Sequence, residues 1–129
     1  MRDALIPKTP ADLRVVPNMV DWAETRAAFS WDRVRDELVG SARNFNIASL
    51  AVDRHAAGAR SERVALRFLR ADGQAQNVSF KELQRQSNRF ANGLRQLGVG
   101  KGDKVFVLAG RIPELYVAVL GGLKNGSVV

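Results

Sequence analysis

Several groups of residues in this chain have the types and spacing for chemistry. The glycine-rich stretch at residues 98–102 invites a phosphate-cradling reading. A loop of the Walker kind runs from a strand into a helix and ends Gly-Lys-Ser/Thr. This one runs out of a helix towards a strand, and its glycines read as a cap at Gly98 and turns at Gly100 and Gly102. Residues 110–113 lie between a strand and a helix, where parallel sheets place ligands. Arg111 beside that helix N-terminus is a candidate anion contact. His55 is the only histidine, and there is no cysteine. A catalytic histidine needs a nucleophile or an orienting acid beside it, and no Gly-x-Ser-x-Gly elbow is present. One histidine cannot build a multi-histidine metal site, so His55 reads as structural. Glu82 and Glu114 are accounted for by helix starts and form no acid–base pair. Lys81, Arg85 and Arg89 lie four apart. That stripe could meet phosphates or simply be the solvated side of a helix, and no aromatic residues interleave with it to stack bases.

The elements that must position these residues are legible between Val78 and Gly126. Ser79 with Glu82 three residues on makes a capping box, and Val78 and Leu83 fall at the two positions of a hydrophobic staple. Phe80, Leu83, Phe90, Leu94 and Leu97, with Ser87 in the remaining slot, recur at steps of three and four and mark one face of a helix. Gly98 and Val99 supply a Schellman ending. Val105, Phe106, Val107 and Leu108 form an unbroken apolar run, as in a parallel strand covered on both faces. Pro113 suits the first turn of the next helix, and residues 114–124 are apolar almost all round, so that helix is expected to be buried. Gly121 and Gly122 weaken it and imply close backbone approach to the sheet. Gly126 ends it, and Val128 and Val129 read as the start of a second parallel strand.

Upstream, residues 1–18 form an irregular lead holding Pro7, Pro10 and Pro17. Residues 18–28 and 30–39 read as two short helices, capped by Asn18 or Asp21 and by Ser30. Trp22, Phe29 and Trp31 read as packing residues. Residues 41–46 are a loop, and 46–57 a helix with Ile47, Leu50, Ala51 and Ala57 on its apolar side. Val64, Leu66 and Phe68 alternate with Ala65 and Arg67 as a half-buried strand. Asp72-Gly73 signals a two-residue hairpin turn, and residues 75–79 return as the second strand.

The whole reads as at most one domain of 129 residues, 46% hydrophobic. The absence of cysteine excludes disulfides and fits a reducing cytoplasm. No secretory signal follows Met1-Arg2-Asp3, and no apolar run approaches the ~20 residues of a membrane span. The net charge of +7 is uneven: residues 1–60 carry nine basic and eight acidic groups, residues 61–129 eleven and five. An apolar helix and a buried strand need cover on several sides, so the fold class is α/β and incomplete. It comprises N-terminal helices, a β-hairpin, then a helix and the start of a parallel β-α-β layer.

Three blocks resemble the adenylate-forming acyl-CoA ligases, most of all the acetyl-CoA synthetase branch. Val78-Ser79-Phe80-Lys81-Glu82-Leu83 is similar to the family's Thr/Ser-aromatic-x-Glu-Leu block. Gly102-Asp103-Lys104-Val105, then Pro113-Glu114-Leu115, then Leu123-Lys124-Asn125-Gly126 are similar to its Gly-Asp-x-Val, Pro-Glu and Leu-Lys-x-Gly run. Asn46 with Asp53-Arg54-His55 resembles its Asn…Asp-Arg-His segment. The resemblance covers roughly residues 18–129. It implies residues 1–60 as a helical extension and 61–129 as the opening of the AMP-binding (adenylation) domain. It also implies a two-step reaction, in which ATP and a short acid such as acetate give an acyl-adenylate and coenzyme A then takes the acyl group. Mg²⁺ offsets phosphate charge in the first step. The family's phosphate loop, acyl pocket and catalytic lysine have no counterpart in these residues, so no catalytic or metal-binding residue is assigned here and the chain alone is expected to be inactive. Its expected partner is the remainder of a ligase chain, with no membrane span. The competing expectation is a stand-alone basic α/β module binding an anionic partner or another protein.

Overall fold

The computed structural model describes residues 9–40 and 45–129. The chain divides into two compact units, Met1–Gly40 and Ser41–Val129, and the loop expected at 41–46 lies mostly outside the described residues.

In the first unit, a single 3-10 turn, Pro10–Asp12, precedes helices α1, Trp22–Ala28, and α2, Trp31–Val39. Asp21 caps α1 by accepting the Glu24 amide at 2.7 Å, and Ser30 accepts the Arg33 amide at the start of α2. The helix expected from residue 18 therefore starts four residues later, because the Asp21 carboxylate fixes where it begins. Neither helix buries a residue. Phe29 and Trp31 pack edge to face at 5.0 Å.

The second unit opens with a helical stretch whose middle is a π-helical turn, Ser49–Asp53, running into α3, Arg54–Ala56. Asn46 caps it, its Oδ1 accepting the amides of Ala48 and Ser49. The Arg54 amide reaches back five residues to the Ser49 carbonyl. That wider turn changes the phase of the helix. The buried side chains are Ala48 and Val52, while Ile47, Ala51 and Ala57, expected on the apolar side, are exposed.

Strand β1, Val64–Leu69, pairs antiparallel with β2, Ala75–Ser79. An irregularity between Val64 and Leu66 breaks the expected alternation: Ala65 turns towards the core beside Leu66 and Phe68, and Val64 is exposed. The hairpin loop has three residues, not two. Arg70 donates its amide to the Gln74 carbonyl at 2.9 Å, and Gly73 donates to the Arg70 carbonyl at 3.0 Å. Only Gly73 has positive φ there, +81°. A type I′ turn would need Asp72 there too, so the chain forms a type I turn closed by a left-handed glycine.

Helix α4, Phe80–Gln96, and helix α5, Pro113–Asn125, make the main packed pair. Ser79 caps α4, and the Phe80 and Lys81 amides are taken by the Arg63 and Ser61 carbonyls. The Schellman ending is complete: Val99 donates to the Leu94 carbonyl and Gly98 to the Arg95 carbonyl. The buried face of α4 is Leu83, Ser87, Ala91 and Leu94, with Phe80 and Phe90 half-buried and Leu97 exposed. The staple pair Val78 and Leu83 joins Val52 as the core, and Ala65, Leu66, Phe68, Val117 and Leu120 pack around it. Gly121 meets α4 rather than a sheet. A methyl group there would lie 2.8 Å from the Ser87 carbonyl oxygen and the Phe90 ring. Gly122 approaches Val129.

The segment expected as a buried strand at residues 104–109 is paired only at its start. Lys104 forms a parallel bridge with Val128, with Val105 N–H to the Val128 carbonyl at 2.8 Å and Val128 N–H to the Asp103 carbonyl at 2.9 Å. The crossover through α5 is thus parallel, as expected. Beyond Val105 no described strand supplies partners or cover, and Phe106 and Leu108 are fully exposed. A parallel strand needs neighbours for its backbone and its faces alike.

Candidate functional site: a polar clasp between helices

The chemistry-bearing side chains converge where the 46–56 helical stretch, α4 and the last turn of α5 meet. Lys124 follows an apolar run in α5, and its side chain is only 7% exposed. A buried ammonium must be paired, since desolvating an isolated charge costs several kcal/mol (roughly). Its partners are Asp53 Oδ1 at 2.5 Å and Asn88 Oδ1 at 2.7 Å. Ser49 donates its hydroxyl to the other Asp53 oxygen at 3.1 Å. Asn46 adds a second link by donating from Nδ2 to the Leu123 carbonyl at 2.9 Å. That bond adds a side-chain donor to a carbonyl in the last turn of α5 that also accepts the Gly126 amide at 3.0 Å.

Asn125 continues the network on the far side of α5. It accepts from Arg95 Nε at 3.1 Å and donates to the Val99 carbonyl and to Ser127 Oγ, both at 2.9 Å. Arg95 lies in the last turn of α4 and Lys124 in that of α5, where positive charge suits the helix dipole. The result fixes three segments and the start of the 127–129 extension in one arrangement. Chemically it is a donor–acceptor lattice in which each carboxylate oxygen of Asp53 has a donor.

The residues singled out from sequence are placed elsewhere or used locally. His55 packs on Phe80 with ring centroids 5.0 Å apart. Burial, then the positive charges of Arg54 and Arg60, hold its pKa below the usual histidine value. Its role is packing. Arg111 is exposed in the bend before α5 and makes no side-chain hydrogen bond or ion pair among the described residues. Pro113 takes the first position of α5, with Glu114 in the first turn. Glu82 does not return a hydrogen bond to the cap. Its carboxylate takes a bidentate pair from Arg85 at 2.8 and 2.5 Å and a bond from Gln86 at 2.6 Å. Those bonds pull its pKa down to about 2. In the basic stripe, Arg85 is thus neutralised by Glu82 and Lys81 by Glu62 at 3.0 Å, which favours the solvated-face reading. The glycine-rich loop spends its amides inside the fold: Gly100 N–H donates to Asp103 and Gly102 N–H to the Gly126 carbonyl.

Sequence reading named Asn46, Asp53, Lys124 and Asn125 only as members of family blocks, and missed Ser49, Asn88 and Arg95. The one local signal was a lysine ending an apolar helix. Its partner stands 71 positions away, beyond the reach of any periodicity.

These separate blocks close on one another as parts of a single domain type. The AMP-binding enzyme family matches residues 52–129, and the chain belongs to that family. The acetyl-coenzyme A synthetase of Bacillus subtilis (strain 168) is 40% identical over 113 residues, covering 86% of this chain and 20% of the relative. That of Methanothrix soehngenii is 41% identical over 83 residues, covering 63% of this chain and 12% of the relative. The crystal structure of Brucella canis acyl-CoA synthetase superposes with a TM-score of 0.72 at 30% identity, over 82% of this chain and 19% of that one. The chain therefore spans about a fifth of the length of such relatives. Its helices and small antiparallel sheet match part of the acyl-CoA synthetase fold. Among the described residues, no helix is long and apolar enough to cross a membrane.

Proposed function

We propose that these residues are the N-terminal part of a cytoplasmic, AMP-forming acid–CoA ligase that activates a short carboxylic acid, with acetate the first choice. The supporting observation is the 40% identity to an acetyl-coenzyme A synthetase over 113 residues. In this reading residues 61–129 open the adenylation domain and residues 1–60 form its helical extension. The parent enzyme uses ATP, Mg²⁺ and coenzyme A.

ATP–Mg²⁺ does not fit onto the residues present. Among the described residues no three His, Cys, Asp or Glu side chains converge to hold a metal ion, and the loop amides of Gly100 and Gly102 are already bonded. The role of this chain is scaffolding: the clasp of Asp53, Asn88 and Lys124 holds the 46–56 helical stretch against α4 and α5. The reading assigns the catalytic groups to the remainder of the ligase chain, which is also the partner expected to cover Phe106 and Leu108. Arg111 stays in this reading as an anion contact that the remainder would complete.

The test is acetate-dependent ATP–pyrophosphate exchange. The 129-residue chain is expected to show none, and the protein encoded by an extended reading frame is expected to be active. Exchange by the short chain would overturn its inactivity. An extended protein that adenylates no carboxylic acid would overturn the ligase reading.

A further inference from the structure

A cleft of about 320 Å³ opens beside the clasp, lined by Ser49 and Asp53, by Asn88, Asn92 and Arg95 of α4, and by Lys124. Its unused hydrogen-bond capacity includes several donors. Each Asp53 oxygen already accepts one bond, from Lys124 and from Ser49. An ammonium can only donate, so Lys124 fixes Asn88 with its oxygen inward and leaves the amide NH₂ over. Asn125 donates to Val99 and Ser127, so it offers oxygen to Arg95 Nε and leaves the two outer guanidinium nitrogens over. The Lys124 side chain, only 7% exposed, has two acceptors for three N–H groups among the described residues. Asn92 makes no side-chain bond among them. The Asn88 and Asn92 amide groups, the outer Arg95 nitrogens and the third Lys124 N–H are donors without a partner among the described residues.

The charges point the same way. Lys124 and Asp53 cancel as an ion pair, and Arg95 remains. A volume of 320 Å³ corresponds to the liquid share of about ten waters, ample for one tetrahedral oxyanion with its first waters. Guanidinium and amide donors match such an oxyanion, the guanidinium bidentately. The helix dipoles at the ends of α4 and α5 oppose an anion, so binding is expected to be weak and to depend on Arg95.

We infer that this cleft is an oxyanion site for a phosphate group, free or carried on a phosphate monoester, held by Arg95 with the Asn88 and Asn92 amides and the third N–H of Lys124. It is distinct from the contact at Arg111, and it does not depend on the ligase reading.

The test is an NMR titration of the isotope-labelled 129-residue chain with inorganic phosphate, at constant ionic strength set by chloride. The side-chain amide signals of Asn88 and Asn92 and the Nε–H signal of Arg95 are expected to shift together and saturably at millimolar phosphate. Methyl phosphate in a parallel titration separates the sources. Equal or tighter binding identifies a phosphate monoester site, and loss of binding identifies a site for free phosphate. Arg95→Gln is expected to weaken binding about tenfold, whereas Lys101→Gln, at an exposed loop position, leaves it unchanged. The inference is overturned by no saturable shift, by shifts spread over all arginine signals, or by an Arg95→Gln chain that binds as before. A spectrum without dispersed amide signals also overturns it, because the cleft exists only where three packed helical segments meet.

Discussion

Helix α5 and the 104–109 segment are both strongly apolar, and they fare oppositely. In α5, Val117 and Leu120 pack on the core, and Gly121 and Gly122 are buried. In the other segment Phe106 and Leu108 stand fully exposed. A helix satisfies its own backbone and needs burial on one face or stripe only. A strand needs neighbours for its hydrogen bonds as well as for its side chains. Within residues 45–129, α4 provides the helix with a partner, and Val128 provides the strand with one bridge. Similar hydrophobicity therefore gives unequal burial, and what decides it is how many neighbours each backbone requires.

The largest effects should separate these two regions. Leu83 is 3% exposed, between Val52 and Val78. Leu83→Ala is expected to destabilise the chain by about 4 kcal/mol, read as the shift of a urea unfolding midpoint. Phe106→Ser should change the same midpoint by less than about 0.5 kcal/mol. A large loss from Phe106→Ser would mean that the segment is covered in solution, and the contrast would fail.

The clasp comes next. Lys124→Met leaves Asp53 without its cation and is expected to cost about 3 kcal/mol, since removing one member strands the other charge. Adding Asp53→Asn should recover part of that loss. Strictly additive losses would show that the two residues are not energetically coupled.

These expectations also mark where sequence reading succeeds. Ser79, Pro113, Gly98 with Val99, and Gly126 were legible because each cap or helix end is written within about five residues. The staple pair Val78 and Leu83 was legible for the same reason. The phase of 46–57 was misread because a π-helical turn at Ser49–Asp53 changes the period that the pattern assumes. The Asp72-Gly73 turn was misread because the dipeptide is compatible with more than one loop length. The clasp was not legible as a site: Asn46 to Leu123 and Asp53 to Lys124 are contacts across 77 and 71 positions. Only the family blocks hinted that those residues matter, without saying that they touch.

The α4–α5 crossing offers a finer test. Gly121→Ala would place its methyl group against the Ser87 carbonyl, which is backbone and cannot swing away. Overpacking there is expected to cost about 1 to 2 kcal/mol, beyond the gain of about 1 kcal/mol in helix propensity. Gly122→Ala meets the Val129 side chain, which can move, so its net effect should be near zero. Equal outcomes at the two glycines would mean that the helices can slide apart, and that α5 is held less firmly than its contrast with residues 104–109 requires.

The smallest expected effect concerns Glu82. Its folded pKa lies near 2 against an ordinary 4.5, because Arg85, then Gln86, hydrogen-bond its charged form. A carboxylate whose pKa is depressed by folding stabilises the folded state fully above its unfolded pKa. That contribution is lost as pH falls from about 4.5 towards 2. The side chain is 38% exposed, so solvent screening keeps the contribution under about 1 kcal/mol. Comparing the chain with Glu82→Gln, the difference in urea midpoint should be constant at neutral pH and shrink through that acid window. A difference that grew as pH fell would reverse the sign, and would mean that the Arg85 and Gln86 bonds do not favour the ionised carboxylate at the start of α4.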